Sequence, residues 1–210
     1  MPIAFPDPID WSFSGPYYLL ALLGGYVLGS IPFSYMITRA FGLGDIREIG
    51  SGNVGATNVL RTGNKKAAAL ALLGDMGKAA LAVFIGKQFG NEIAFFTTLG
   101  AFAGHVFPVW LNFQGGKGVA TYAGALLALD WRVFLIGGAT WLAIAFISRI
   151  SSLAALLTAV AVPAYMALMG QPLFAGLTLI LGALVFITHR SNIMRLLNGT
   201  EPRIGASKKA

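Results

Sequence analysis

The sequence predicts an all-α, polytopic membrane protein: one domain over residues 1–210, with seven transmembrane helices and glycine-rich loops on the cytoplasmic side. Three observations carry that reading. The chain is 56% hydrophobic and 11% charged, with mean hydropathy +0.73, too apolar for a soluble domain of 210 residues. Runs without formal charge occupy residues 11–38, 93–116 and 150–189, and a span needs about 20 residues at ~1.5 Å each. These runs lack the period-2 alternation of barrel strands, so they are helices.

The first span runs from Tyr17 to about Arg39. Asp7 and Asp10 precede it without a basic residue, so it reads as a retained span rather than a cleaved signal, and Trp11, Tyr17 and Tyr18 suit the membrane interface. Pro32, between Ser30 and Ser34, predicts a kink. Residues 40–66 form a polar loop. The second span, 67–86, holds Asp75 and Lys78 on one face by i, i+3 spacing, which fits a buried ion pair that fixes packing better than direct substrate contact. The third, 93–111, contains His105, read as an interhelical hydrogen-bonding residue. A fourth helix has few residues before Asp130 and must be short or tilted. The fifth covers 132–148. The last long run holds two spans, 153–169 and 173–188, divided by a turn at Gly170-Gln171-Pro172.

Three polar clusters interrupt this apolar pattern. In Gly50-Ser51-Gly52-Asn53-Val54-Gly55-Ala56-Thr57-Asn58, three glycines in six positions leave successive N–H groups uncovered, a backbone able to cradle an anion. Arg47 lies before it, and Arg61, Lys65 and Lys66 follow, so the anion suggested is a phosphate. A tight re-entrant turn whose glycines serve packing fits the same pattern. In the second, Asn112 to Thr121, Gly115-Gly116-Lys117-Gly118 delivers a lysine at a helix start, where its charge opposes the helix dipole. A bound phosphate resolves that conflict, and a positive-inside signal is the alternative. The third, His189 to Glu201, puts His189, Asn192 and Arg195 or Ile193 on adjacent turns if the helix continues through it. A basic helix at anionic head groups is its alternative.

Seven spans put all three clusters on one side. Arg39, Arg47, Arg61, Lys65, Lys66, Lys117, Arg149, Arg190, Arg195, Arg203, Lys208 and Lys209 lie there, whereas Lys87 and Arg132 lie opposite. By the positive-inside rule the clusters are cytoplasmic. Topology thus accounts for most of the net charge of +7, and no nucleic-acid partner is implied. With no cysteine, the chain has no cysteine nucleophile or cysteine metal site. The only cytoplasmic carboxylates are Asp45, Glu48 and Glu201, so a clustered metal site is not expected. Neither histidine has Asp five positions on, against a His-x4-Asp acyltransferase. Basic groups at one membrane surface suit a substrate with its phosphate in water and its acyl chain in the bilayer. The rival from another class is a transporter for a phosphorylated solute, although the basic clusters sit at one surface only.

Gly29-Ser30-Ile31-Pro32 with the Gly50–Asn58 loop, Gly104-His105 through Thr121, and His189-Arg190-Ser191-Asn192-Ile193 to Arg195-Leu196 and Gly199 resemble the three motifs of the bacterial acyl-phosphate:glycerol-3-phosphate acyltransferases. The resemblance implies an inner-membrane enzyme, its active site facing the cytoplasm. It would move a fatty acyl group from acyl phosphate to the 1-hydroxyl of sn-glycerol 3-phosphate, giving lysophosphatidic acid and phosphate without a cofactor. By motif position the catalytic set is Ser51, Arg61, Lys117, His189 and Asn192. Gly50, Gly52, Asn53, Gly55, Thr57, Asn58, Gly115, Gly116 and Gly118 bind substrate, and no metal is implied. One departure is Ala155, where family members often carry serine. Acyl length and oligomeric state are not set by the sequence.

Overall fold

The computed structural model describes residues 11–205, so Asp7, Asp10, Lys208 and Lys209 lie outside the described residues, as does the side chain of Trp11. It resolves into two compact units, residues 1–131 and 132–210. The described residues are mostly helical, with no strand among them.

In the first unit, α1 (Trp11–Gly29) and α2 (Phe33–Ala40) form one broken span. The break falls at Ser30–Pro32, where proline offers no N–H and its ring disfavours a helical residue before it. A 3₁₀ turn (Ile46–Glu48) and a short helix, α3 (Ala56–Leu60), follow, then α4 (Lys65–Lys87), α5 (Asn91–Val106) and α6 (Val119–Leu129). The Asn64 side chain caps α4 by accepting from the Ala67 N–H at 3.0 Å. At the other end of α4, Lys87 Nζ donates to the Ala128 and Leu129 carbonyls at 3.2 and 2.6 Å, satisfying the end of α6. Helices α1 and α5 pack backbone to backbone: Gly25 and Gly29 face Thr97 and Ala101, while Gly100 and Gly104 face Leu22 and Tyr26. Small residues permit that approach where no hydrophobic effect drives helices together.

In the second unit, α7 (Trp131–Ser148) precedes α8 (Ser151–Leu168), α9 (Pro172–Thr188) and α10 (Arg190–Leu197). Helices α8 and α9 pack together, and Thr140 of α7 meets the Tyr165 hydroxyl of α8 at 3.2 Å. The chain does not run straight from α9 into the third cluster. It bends by 65° at His189, so the condition that one helix runs through the third cluster is not met: α9 ends at Thr188, and His189 caps α10, its carbonyl accepting from the Ile193 N–H at 2.9 Å.

Five helices are long and apolar enough to cross a membrane, or six if α9 and α10 are one bent span. Helix α6, with 11 residues, is too short by that measure. The protein is therefore an all-helical, multi-pass membrane protein.

Candidate active site

In the first unit the Gly50–Asn58 loop is organised by one side chain. Asn58 is buried, and its amide donates to the carbonyls of Ile46, Ile49 and Asn53 at 3.0, 2.8 and 3.0 Å. Its Oδ1 accepts from the Ser51 N–H at 3.0 Å. Expected to touch substrate, Asn58 instead spends its donors and acceptor holding the loop closed. Ile46, Val54 and Val59 anchor the same loop on Ala67, Ala68 and Ala71 of α4. Each fully buried aliphatic of this size contributes about 1.5 to 3 kcal/mol.

What the loop presents outward is Ser51, Thr57 and Arg61, all exposed. Gly50 has φ 57°, and a Cβ there would lie 2.4 Å from Asn58 Oδ1 and 2.9 Å from Arg61 Cδ. Glycine is thus required twice, by its backbone angle and by the arginine lying across it. Gly52, at φ 69°, and Gly55, the N-terminal flank of α3, complete the turn around Asn53. Arg47 is committed elsewhere. Its guanidinium bonds Asp45 at 2.6 Å and lies over the Tyr35 ring at 5.3 Å. Those bonds, with the Arg47 backbone N–H, hold the Asp45 carboxyl well below the usual carboxylate range.

The second cluster packs against the first. A Cβ on Gly116 would lie 2.1 Å from His105 Nε2 and 2.5 Å from the Val54 carbonyl, so this glycine lets the two loops meet. The Gly115 and Gly116 N–H groups donate to the Val106 and His105 carbonyls, each at 3.1 Å, which ties the turn to the end of α5. Gly118, at φ 86° above the Phe102 ring, starts α6, and Lys117 is half-buried between them. Two of the three sequence clusters are therefore one assembly.

The third cluster belongs to the second unit, and its centre is a residue the sequence did not single out. Glu201 Oε1 accepts from Ser152 at 2.7 Å and Asn192 at 2.5 Å, and Oε2 pairs with Arg195 Nε at 2.7 Å. Burial pushes this carboxyl up, but the three donors outweigh it and hold it below its ordinary value. The available signal was a lone carboxylate in a basic cluster. His189 is buried, its Nδ1 2.8 Å from the Val185 carbonyl. A carbonyl only accepts, so Nδ1 carries the hydrogen and, in the neutral ring, the lone pair is on Nε2. Ala155 is buried on α8, and the hydroxyl contributed from that helix start is that of Ser152.

A sequence model of the family described as glycerol-3-phosphate acyltransferase matches residues 19–199. A Mesorhizobium japonicum protein of that name is 58% identical over 188 residues, covering 90% of this chain and 96% of the relative. One from Caulobacter vibrioides is 54% identical over 195 residues, covering 91% and 89%. Among solved structures, PlsY (YgiH), an integral membrane glycerol 3-phosphate acyltransferase, is similar in its glycerol 3-phosphate form, with TM-score 0.85, 38% identity, and 90% and 96% of the two chains covered. Its lysophosphatidic acid form gives TM-score 0.83 at 37% identity, covering 90% and 95%.

Proposed function

The chain belongs to the glycerol-3-phosphate acyltransferase family, and from that premise we propose that its acyl donor is an acyl phosphate. The enzyme acylates glycerol 3-phosphate to lysophosphatidic acid, a step of phospholipid synthesis. Acyl phosphate is a mixed anhydride, already activated, so no acyl-enzyme is needed. The 1-hydroxyl of glycerol 3-phosphate attacks the acyl carbon, the bond to the phosphate oxygen breaks, and the hydroxyl proton passes to a substrate phosphate. Catalysis is then orientation and charge compensation between two anions.

The observation that carries this reading is the contact between the two glycine-rich loops, Val54 against Gly116. One assembly offers the exposed Ser51 hydroxyl, with Arg61 and Lys117 as cations, a donor set suited to phosphate. The N–H groups of Gly52, Gly55, Gly115 and Gly116, expected to lie uncovered, instead donate to carbonyls of the first loop and the end of α5. Among the described residues no carboxylate pairs with the Arg61 guanidinium. We assign the Gly50–Asn58 loop to acyl phosphate, and Arg61 and Lys117 to phosphate neutralisation. His189, through Nε2, and Asn192 orient the glycerol hydroxyls. The whole chain acts as one acyltransferase domain in the bacterial inner membrane, with seven spans, α6 being the short one, and the glycine-rich loops in the cytoplasm.

The test is turnover by the purified protein: acyl phosphate plus glycerol 3-phosphate, following phosphate release and lysophosphatidic acid together. Equal amounts of both are expected. Robust transfer from acyl-CoA with no acyl phosphate present refutes the donor assignment.

A further inference from the structure

Beneath the second loop lies a group of charges that the acyl-transfer scheme does not use. Asp75 is 1% exposed within α4, yet it is met from three elements. Ser34 of α2 donates to Oδ2 at 2.6 Å, Lys78 of α4 pairs with Oδ1 at 2.9 Å, and His105 of α5 brings Nδ1 to 3.6 Å from Oδ1. Lys78 also donates to the Ile31 carbonyl at 2.6 Å, in the break between α1 and α2.

Charges buried in a span are costly, and an apolar set of similar volume would pack these helices at least as well. Packing alone therefore does not account for the group. The other side of the imidazole does. His105 turns Nδ1 toward Asp75 and Nε2 toward Gly116, and its carbonyl accepts from the Gly116 N–H. Lys117 is the next residue. The carboxylate thus faces, at electrostatic rather than hydrogen-bond distance, a ring on which the turn rests.

We propose that Asp75 and His105 are positioning residues for the acyl transfer: the buried pair sets the Gly115–Gly118 turn, and through it where Lys117 presents its ammonium. The inference rests on the assignment of Lys117 to a substrate phosphate. An ammonium on a flexible four-carbon stem aims only as well as its backbone is held, and a displacement of about 1 Å at a reacting centre costs on the order of 100-fold. The ring below Gly116 and the glycine-only contact with Val54 make the turn respond to the tilt of His105. Neither Asp75 nor His105 touches substrate in this account.

The experiment is a double-mutant cycle in purified, reconstituted enzyme, with kcat and KM measured for acyl phosphate and for glycerol 3-phosphate. Asp75→Asn removes the charge at constant shape, and His105→Phe keeps a ring under Gly116 but cannot answer the carboxylate. Each is expected to lower kcat/KM at least tenfold in preparations matched for folded fraction. In the Lys117→Gln background each should add no more than a further twofold, because the group being aimed is gone. If Asp75→Asn does not fold, since Lys78 then faces no carboxylate, His105→Phe carries the same cycle. Parent-like kcat/KM in His105→Phe, or a full tenfold loss repeated on top of Lys117→Gln, overturns the positioning role while leaving the Lys117 assignment standing. A Lys117→Gln enzyme that turns over like the parent overturns the assignment itself, and the inference with it.

Discussion

Asn58→Asp is the substitution that most directly tests whether the first loop acts as a rigid phosphate cradle. The change is isosteric and keeps Oδ1 for the Ser51 N–H, 3.0 Å away. It replaces Nδ2 by an oxygen facing the carbonyls of Ile46, Ile49 and Asn53 at 2.8 to 3.0 Å. Three acceptors lose their donor, and a side chain that is 2% exposed becomes a carboxylate directed at them. One buried acceptor left unsatisfied costs about 1 to 3 kcal/mol, and the loop avoids the cost only by opening. At about 2 to 3 kcal/mol against the closed form, the closed-to-open ratio falls roughly 30- to 150-fold, and kcat/KM for acyl phosphate falls by up to that factor. The long helices do not depend on Asn58, so the variant should purify with parental helicity. The assay is phosphate release at varied acyl phosphate, with circular dichroism as the control for folding. A folded Asn58→Asp enzyme within threefold of the parent would show that a closed loop is not needed for donor binding.

Lys117→Gln should reduce kcat/KM by roughly 10- to 150-fold, the worth of a charge-assisted hydrogen bond of about 1.5 to 3 kcal/mol, and Lys117→Arg should recover only part of it; parental kinetics in Lys117→Gln would make it a positional charge. Glu201 is held below its ordinary value of 4.5, so the folded chain binds fewer protons there than the unfolded chain. Its contribution to stability is full above that pH and is lost as pH falls below it. The melting temperature should therefore decline less between pH 5 and 3, as an order-of-magnitude window, in Glu201→Gln than in the parent, and identical slopes would count against the hub. For topology, single cysteines at Asn91 and Thr200, both exposed in a chain without native cysteine, should label differently with a membrane-impermeant thiol reagent in intact cells. Asn91 should react and Thr200 should be protected, and equal labelling contradicts the seven-span arrangement.

The long helices were legible because hydropathy acts over about 20 residues and needs no knowledge of partners. The break at Pro32 and the turn at Gly170 were legible for a local reason, since proline and glycine impose backbone limits wherever they stand. The 65° corner at His189 had no such signal, as Thr188-His189-Arg190 contains neither residue. Helix α3, five residues inside a polar loop, is too short for a period to register.

The site divides along the same line. Glycine motifs named the loops because the close approach of the two loops and the positive φ angles at Gly50, Gly52 and Gly118 require glycine, which sequence spacing encodes directly. What the other polar side chains do was hidden, because each depends on a partner that only the fold supplies. Asn58 looked like a ligand-binding residue and is the loop's internal strut, while Glu201 looked incidental and gathers Ser152, Asn192 and Arg195. Asp75 and Lys78 were legible as a pair by helical spacing, but His105 is 30 residues further on, and its ring and carbonyl connect that pair to Gly116 only in the fold. On the proposed assignment, the motifs mark where the substrate is gripped. The buried polar residues outside them that touch their backbone mark how the grip is aimed, and mutational scans confined to the motifs would miss those residues.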